Sequence, residues 1–208
     1  MAWSPQRDRL DDLVVPLEKG IVLMLDLCSG FGGASAAMAE HGWRVVKLDI
    51  EPRVHPHIVG DLRSLPLRPF PVDLLWVSVP CTDYSRNDLP WFRDEPPPDL
   101  ALWKAAEQVI AEWQPSWWVM ENVRGAQRWH GKATVHFGSR FLWSNLPAFV
   151  QPVWKFRGKH NLCSGTDPLR NAKRGYIPYP ISEAVALSVE AMGIGAPAWG
   201  GRIGWDVK

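Results

Sequence analysis

Residues 21–33 read IVLMLDLCSGFGG, an apolar run that ends in a glycine-rich turn. A run of this length with a single polar residue is typical of a strand buried on both faces of a parallel sheet. The glycines of the turn allow the backbone to approach a ligand closely. The alanine-rich stretch that follows predicts a helix over residues 32–41, which Gly42 ends.

The same alternation of apolar strand and helical segment continues along the chain. Further strands are predicted at residues 43–48, 58–61, 73–79 and 117–120, and further helices at 100–113 and 181–192. Residues 86–98 contain four prolines and predict a loop. Strands that alternate with helices predict an α/β fold, with a mostly parallel sheet flanked by helices.

Five polar residues stand at or just past the carboxyl ends of these predicted strands. They are Asp26, Asp49, Asp61, Cys81 and Glu121. In an open α/β sheet this edge is where ligands bind. Their shared placement therefore indicates a binding site better than any one of the residues does.

Composition narrows the class of protein. The chain has 208 residues, 46% of them hydrophobic and 22% charged, which suits one ordinary domain with a buried core. No run of eighteen apolar residues is present, and residues 1–8 lack the apolar core of a signal peptide, so neither a membrane span nor secretion is expected. Three cysteines without a CxxC pair favour a reducing cytosol over a disulfide framework.

The net charge of +1 hides a basic quarter of the chain. Residues 124–174 carry six arginines and four lysines against one acid, Asp167. This asymmetry favours a surface that faces a polyanion. A solvated basic face without a partner explains the charge equally well at this point.

Each of three local motifs has a functional and a plain structural interpretation. The glycine-rich turn, with Asp49 downstream, suits a nucleoside cofactor, although a plain tight turn stays open. The carboxylates of Asp26 and Asp49 would repel a phosphate and favour the cationic S-adenosylmethionine (SAM). Cys81, after Pro80, is either a nucleophile on a stiff loop or a small buried hydrophobe. Glu121 is either an acid–base group or a solvated carboxylate.

Together, in order and spacing, these motifs resemble the DNA cytosine-5 methyltransferases. DLCSGFGG at residues 26–33 is similar to the family's SAM loop, PCTDYS at 80–85 to its Pro-Cys-Gln-x-Phe-Ser catalytic loop, and ENV at 121–123 to its Glu-Asn-Val signature. Arg140 looks like the second arginine of the family's Gln-x-Arg-x-Arg element, without the glutamine. Residues 177–184, IPYPISEA, look like the closing segment of compact phage-borne members.

The resemblance implies a Rossmann-like fold of the SAM-dependent methyltransferases and transfer of a methyl group from SAM to carbon 5 of cytosine in DNA. The implied catalytic residues are Cys81 as the nucleophile, Glu121 at the cytosine edge, and Arg140 at the base oxygen or a phosphate. The implied SAM-binding residues are Asp26, Cys28, Ser29, Gly30, Phe31, Gly32, Gly33, Asp49, Ile50, Asp61 and Pro80. Among them Asp49 would bind the ribose, Ile50 would pack on the adenine, and Asp61 would accept from the adenine amine.

The resemblance also implies double-stranded DNA as the partner, with the target base flipped out of the stack and residues 83–99 closing over it as a loop. The implied DNA contacts are Ser85, Arg86, Arg124, Lys155, Arg157, Lys159, Arg170, Lys173 and Arg174. Only about residues 144–174 stand where family members carry a larger recognition domain. This predicts short or weak sequence specificity, or a partner protein that supplies it.

The implied organisation has four parts: an N-terminal arm at residues 1–20, a SAM-binding and catalytic domain at 21–143, a short basic DNA-contact region at 144–174, and a C-terminal segment at 175–208 that packs back on the catalytic domain. Three residues depart from the family pattern: Cys28 replaces phenylalanine, Thr82 replaces glutamine, and Tyr84 replaces phenylalanine.

Two alternatives stay open on sequence alone. One is the same chemistry on RNA or on a free cytosine nucleotide, and the other is a catalytically inactive homologue that binds nucleic acid. His160 and Cys163, taken with His130 and His136, match no standard four-ligand zinc spacing, so no metal is expected. The expected location is the cytoplasm of a bacterial or phage-infected cell.

Overall fold

The computed structural model describes residues 22–87, 96–153 and 166–193. Five parallel strands form the centre of a sheet: β1 (Leu23–Leu27), β2 (Arg44–Asp49), β3 (Ile58–Val59), β4 (Leu74–Val77) and β5 (Trp117–Asn122). The hairpin strands β6 (Val135–Phe137) and β7 (Arg140–Ser144) extend it, with β7 antiparallel to β5. The order across this seven-stranded sheet is β3-β2-β1-β4-β5-β7-β6.

Six α-helices accompany the sheet within the described residues. They are α1 (Ala36–Glu40), α2 (Thr82–Asn87), α3 (Ala101–Trp113), α4 (Gln127–His130), α5 (Arg170–Gly175) and α6 (Tyr179–Ala191). None of them is both long and apolar enough to cross a membrane. The mixed, mostly parallel sheet flanked by helices confirms the predicted α/β fold.

The sheet separates two apolar clusters, because successive side chains of a strand point to opposite faces. On one face Leu25 belongs to a cluster with Trp103 of α3. On the other face Met24 belongs to a cluster with Met38 and with Ile181 of α6. All five residues of β1 are buried, as its apolar sequence predicts for a strand covered on both faces.

The strand order reverses between β1 and β4. From β1 the chain continues to β2 and β3 on one side, whereas β4 and β5 lie on the other side. The loops that leave β1 and β4 therefore run in opposite directions and open a crevice at the carboxyl edge of the sheet.

The prediction of a loop at residues 83–99 was wrong for the first of these residues. The chain from Thr82 to Asn87 forms α2, and residues 88–95 lie outside the described residues. Tyr84 is 2% exposed, with its ring edge against Trp103. Burial of this ring stabilises a short helix that local sequence alone does not predict.

Other element boundaries also differ from the predictions. The helix predicted at residues 32–41 is limited to α1, since Gly32 has a φ of 75° and lies in a turn. Strand β5 continues through Asn122, so Glu121 lies within it rather than beyond it. The β6–β7 hairpin was not predicted, because strands of three and five residues are too short to show a clear period.

The C-terminal helix α6 packs against α1 and the turn before it. The buried hydroxyl of Ser182 donates to the carbonyl of Ala34 at 2.7 Å and accepts from the Ala37 amide at 3.1 Å. Upstream of α6 the chain passes close to Gly33: a Cβ there would lie 2.5 Å from the carbonyl oxygen of Ile177. The glycine-rich turn is thereby packed against the C-terminal part of the chain.

Gly33→Ala is expected to lower the free energy of unfolding by about 1–3 kcal/mol, because backbone atoms of Ile177 must move to admit the methyl group. Gly175→Ala is the matched control: its Cβ would meet no atom within 4 Å, so a change within about 0.5 kcal/mol is expected. Urea unfolding of both variants measures the difference. Equal stabilities would contradict the close packing at Gly33.

Candidate active site

A cavity of about 720 Å³ opens at the carboxyl edge of the sheet. Its wall combines parts of segments 28–34, 48–51, 60–63 and 78–82, which end or follow β1 to β4, with Glu121 of β5, Arg140 of β7 and much of segment 168–177. The cavity thus lies at the crevice that the reversal of strand order creates.

The glycine-rich turn forms one end of this cavity. Cys28 and Gly30 have φ values of 55° and 51°, so the turn bends in the left-handed region. Asp49 holds it, since its Oδ2 accepts from the Gly30 amide at 2.8 Å. A Cβ at Gly30 would meet no atom within 4 Å, which leaves space in front of the turn.

Acidic groups surround the Cys28 thiol in this part of the molecule. Burial, followed by the charges of Asp49, Asp26 and Asp61, raises the pKa of the Cys28 thiol to about 12. The hydroxyl oxygen of Ser29, also buried, has no hydrogen-bond partner among the described residues. The turn therefore fits a ligand that brings positive charge and a polar group.

Two further carboxylates of the cavity wall are paired with arginines. Arg63 donates to both oxygens of Asp61, and Arg53 donates to both oxygens of Glu51, each with a closest approach of 2.6 Å. These hydrogen bonds lower the pKa of Asp61 and bring the pKa of Glu51 to about 2. Both groups stay ionised near neutral pH.

Two apolar side chains of the same wall are open to the solvent. Phe31 is 38% exposed and Ile50 is 65% exposed, and both line the cavity. Exposed apolar surface beside carboxylates is what a flat, partly polar ring such as adenine would cover.

Asp26 and Gly32 do not line the cavity, although the family resemblance implies both as SAM-binding residues. Asp26 is fully buried in β1; one oxygen accepts from the Ser35 hydroxyl at 2.7 Å and the other has no partner among the described residues. Burial raises the pKa of Asp26 to about 7, against the opposing influence of Ser35 and Lys47.

This buried acid is expected to make stability depend on pH. An unfolded aspartate loses its proton near pH 3.8, whereas folded Asp26 loses its proton near pH 7. Between these pH values the folded chain binds one proton more than the unfolded chain. The free energy of unfolding therefore falls as pH rises from 3.8 to 7. Asp26→Asn has no proton to lose. Its stability relative to the wild type should therefore rise by roughly 1.4 kcal/mol per pH unit between those values. Urea unfolding at several pH values measures this, and parallel profiles would contradict it.

Cys81, Glu121 and Arg140 all line the cavity. Cys81 is half-buried directly before α2, and its carbonyl accepts from the Ser85 amide at 2.9 Å. Glu121 is 4% exposed and Arg140 6%, and Nη1 of Arg140 donates to Oε1 of Glu121 at 3.2 Å. A buried carboxylate needs such a partner, so the pair holds a charged group at the cavity wall.

Asn122 fastens the end of β5 to the segment that leads to Cys81. Its Nδ2 donates to the carbonyl of Val79 at 3.2 Å, and its Oδ1 accepts from the Val123 amide at 2.9 Å. This links the Glu-Asn-Val tripeptide to the Pro80-Cys81 segment, two motifs about forty residues apart.

Arg140 also holds the C-terminal part of the cavity wall. Its Nη2 donates to the carbonyls of Arg174 at 2.9 Å and Tyr176 at 2.8 Å. Tyr176 and Ile177 also line the cavity. Sequence reasoning placed Ile177 only in the closing segment at residues 177–184 and missed Tyr176. No local pattern signals Tyr176, because its contact with distant Arg140 brings it to the cavity.

The predicted DNA contacts fall into three groups. Ser85, Arg86, Arg170 and Arg174 line the cavity. Arg124 and Lys173 are not part of the lining, and Lys173 donates to Asp167 at 2.7 Å. Outside the described residues lie Lys155, Arg157, Lys159, His160, Cys163 and the arm at residues 1–20. Within residues 22–87, 96–153 and 166–193, no cluster of three His, Cys, Asp or Glu could hold a metal ion.

A family model for C-5 cytosine-specific DNA methylase matches residues 22–137, which is more than half of the chain. The chain belongs to the C-5 cytosine-specific DNA methylase family. Residues 28–33, Cys81 and Glu121 lie inside the match to the methylase model, whereas Arg140 lies just beyond its end.

Solved structures of methyltransferases are also similar to this chain. A protein described as a DNA modification methyltransferase encoded within an E. coli prophage is 21% identical, with a TM-score of 0.40, covering 52% of this chain and 34% of that chain. The S. pombe Dnmt2 methyltransferase is 17% identical, with a TM-score of 0.34 and coverages of 51% and 36%. The Entamoeba histolytica methyltransferase EhMeth is 15% identical, with a TM-score of 0.36, covering 53% of this chain and 40% of that chain.

The chain spans about a third of the length of the first two of these structures. A comparison with curated proteins gives no significant match. With TM-scores this low, membership of the methylase family rests on the family model.

Proposed function

We propose that this chain transfers a methyl group from SAM to carbon 5 of cytosine in DNA, through a covalent adduct on Cys81. The observation that carries the proposal is the meeting of Cys81, Glu121 and Arg140 on one cavity, whose other end is the glycine-rich turn. The reaction needs these parts within reach of one another: a nucleophile, a group at the base edge, and a cofactor site.

The residues at the turn fit SAM. The unpartnered Ser29 hydroxyl, the open space before Gly30 and the carboxylates of Asp49 and Asp61 suit its ammonium, sulfonium and ribose groups. Asp49 would bind the ribose and Ile50 would pack on the adenine. Asp61 keeps lone pairs beyond those used by Arg63 and would accept from the adenine amine. When bound, SAM supplies a methyl group on a sulfonium, which is an electrophilic carbon.

Cys81 provides the step that cytosine cannot make alone. Carbon 5 of cytosine is too weak a nucleophile to take the methyl group directly. The Cys81 thiolate adds to carbon 6, which makes carbon 5 enamine-like and nucleophilic. Carbon 5 takes the methyl group as the bond between that group and the sulfonium sulfur breaks, which leaves a neutral thioether. Solvent water then takes the proton of carbon 5, the double bond between carbons 5 and 6 forms again, and the bond from the Cys81 sulfur to carbon 6 breaks, which regenerates the thiolate.

Glu121 and Arg140 hold the base during this addition. Glu121 would take up a proton from solvent, pass it to ring nitrogen 3 as the thiolate adds, and accept from the exocyclic amine. Arg140 keeps the Glu121 carboxylate in place through their 3.2 Å contact and carries further donors for the base oxygen or a phosphate. Both side chains are buried, so their geometry is fixed before the base arrives.

Basic side chains support a polymeric substrate. Arg86, Arg170 and Arg174 line the cavity on the side of Cys81 and segment 168–177, where phosphates that flank an inserted base would pass. The proposed partner is double-stranded DNA whose target base is flipped into the cavity. The proposal includes either short or weak sequence specificity or a partner protein that supplies specificity, and a cytoplasmic location.

Nucleoside mass spectrometry tests the proposal. Unmethylated plasmid, transcribed RNA and free deoxycytidine nucleotides are each incubated with the protein, with and without SAM. We expect 5-methyldeoxycytidine from the plasmid alone, and only when SAM is present. Product from RNA or from nucleotides alone would reassign the substrate. No product in any arm, with SAM binding by calorimetry, would overturn the proposal in favour of an inactive homologue that binds nucleic acid.

A further inference from the structure

An aromatic cluster includes Tyr84 of α2, the helix that starts directly after Cys81. The imidazole of His130, at the end of α4, stacks on the indole of Trp103 of α3, with centroids 3.8 Å apart and planes 8° apart. Nε2 of His130 lies 2.9 Å from the hydroxyl oxygen of Tyr84 on α2. Trp143 of β7 packs edge-on against Trp103 at 5.0 Å. The cluster thereby joins three helices and the sheet.

The Tyr84–His130 contact joins the two halves of the proposed active site. Tyr84 lies in the first turn of α2, which starts one residue after Cys81. His130 belongs to the helical segment that begins shortly after Glu121, where the 3₁₀ turn Arg124–Ala126 packs against α2. With the Asn122–Val79 bond, it forms a second tie between the thiol segment and the carboxylate segment.

We propose that His130 is a positioning residue for Cys81: its hydrogen bond to Tyr84 sets the rotation of α2, and so the direction in which Cys81 faces Glu121 and the cavity. This inference rests on the proposed function, because the effect on transfer presupposes Cys81 as the nucleophile. His130 itself does not line the cavity.

Directionality is the reason that a hydrogen bond is needed here. Stacking of aromatic rings buries apolar surface but tolerates sliding of one ring over another. A hydrogen bond at 2.9 Å is sensitive to angle and fixes the ring of Tyr84, which is 2% exposed. Tyr84 stands where the family motif that it resembles has phenylalanine, so this tie is a feature of the present sequence.

The protonation states suit the contact at neutral pH. Burial lowers the pKa of His130 to about 4, so the imidazole is neutral and one ring nitrogen can accept. Burial, and the charges of Asp83, Asp99 and Glu107, raise the pKa of Tyr84 to about 12, so its hydroxyl keeps the proton that it can donate.

Two single variants and one double variant test the proposal. Tyr84→Phe removes the hydroxyl, His130→Gln keeps a hydrogen-bonding amide, and Tyr84→Phe with His130→Phe keeps an aromatic cluster without the bond. We expect Tyr84→Phe and the double variant to lower kcat about tenfold with KM for DNA unchanged, and His130→Gln to retain most of the rate. The double variant leaves no polar group of the pair unpaired, so its melting temperature should lie closer to that of the wild type than that of Tyr84→Phe does.

A second readout does not depend on methyl transfer. Peptide mass spectrometry after timed iodoacetamide treatment measures alkylation of Cys81, and we expect the rate to change by about threefold or more in Tyr84→Phe and in the double variant. Tyr179→Phe is the matched control, since its hydroxyl donates to Glu40 at 2.6 Å at the contact of α1 with α6. It should change neither kcat nor alkylation.

The outcomes separate this inference from the proposed function. Wild-type kcat and alkylation rates in the double variant would overturn the positioning role, whatever happens to stability. Absence of transfer by the wild-type protein would overturn the proposed function instead. The role of His130 in positioning Cys81 would then be decided by the alkylation rates alone.

Discussion

In Cys81→Ala, transfer of methyl groups to DNA is expected to fall by more than about a thousandfold, while binding of SAM persists. The variant lacks the electron pair that adds to carbon 6, so carbon 5 never becomes nucleophilic. Cys28 cannot take over, because its pKa of about 12 keeps it a thiol at neutral pH and the glycine-rich turn holds it. Single-turnover transfer from methyl-labelled SAM measures the rate, and calorimetry measures SAM binding.

A trapping experiment supplies the control for this prediction. In DNA that carries 5-fluorocytosine, incubated with SAM, fluorine replaces the proton that carbon 5 must lose after it takes the methyl group, so the methylated adduct with the enzyme cannot break down. Wild-type protein should form a complex with this DNA that survives denaturing electrophoresis, and Cys81→Ala should form none. A complex of equal yield with the alanine variant would point to another nucleophile.

Glu121→Gln is expected to lower the transfer rate by about a hundredfold or more. The amide keeps the size of the side chain and can still accept from Arg140, but it cannot take up a proton and pass it to ring nitrogen 3. It also removes the charge that faces the buried guanidinium, so the free energy of unfolding should fall by about 1–3 kcal/mol. Single-turnover kinetics with DNA and urea unfolding measure the two effects separately.

Glu190→Gln is the matched control for the loss of a carboxylate. Glu190 accepts from the indole of Trp43 at 3.1 Å and contacts His41 at 2.8 Å, and it does not line the cavity. Its transfer rate should stay within about twofold of the wild type. A Glu121→Gln rate as high as that of Glu190→Gln would exclude the acid role of Glu121.

The parallel half of the sheet is predictable because its strands have a simple signature. Each residue of β1 and β4 is buried, so these strands are continuous apolar runs, bounded by polar or glycine residues. The hairpin β6–β7 and the helix α2 have no such signature. They are short elements stabilised by contacts with distant residues, as Tyr84 is by Trp103 and His130.

Strand ends explain how the sequence alone locates Asp49, Cys81 and Glu121 near one site. In a parallel sheet the carboxyl ends of all strands lie on the same edge, so a local property, the end of an apolar run, implies spatial proximity. The glycine-rich turn and the basic quarter of the chain are likewise visible in the sequence alone.

Tertiary structure decides what closes the site. It pairs Arg140 with Glu121, brings residues 168–177 to the cavity wall, and buries Asp26 against Ser35, away from that wall. It also ties Tyr84 to His130 across 46 positions of the chain. Such contacts depend on how loops and helices pack between distant residues. Packing of that kind leaves no periodic trace in the sequence, so these parts of the site could be found only in the folded chain.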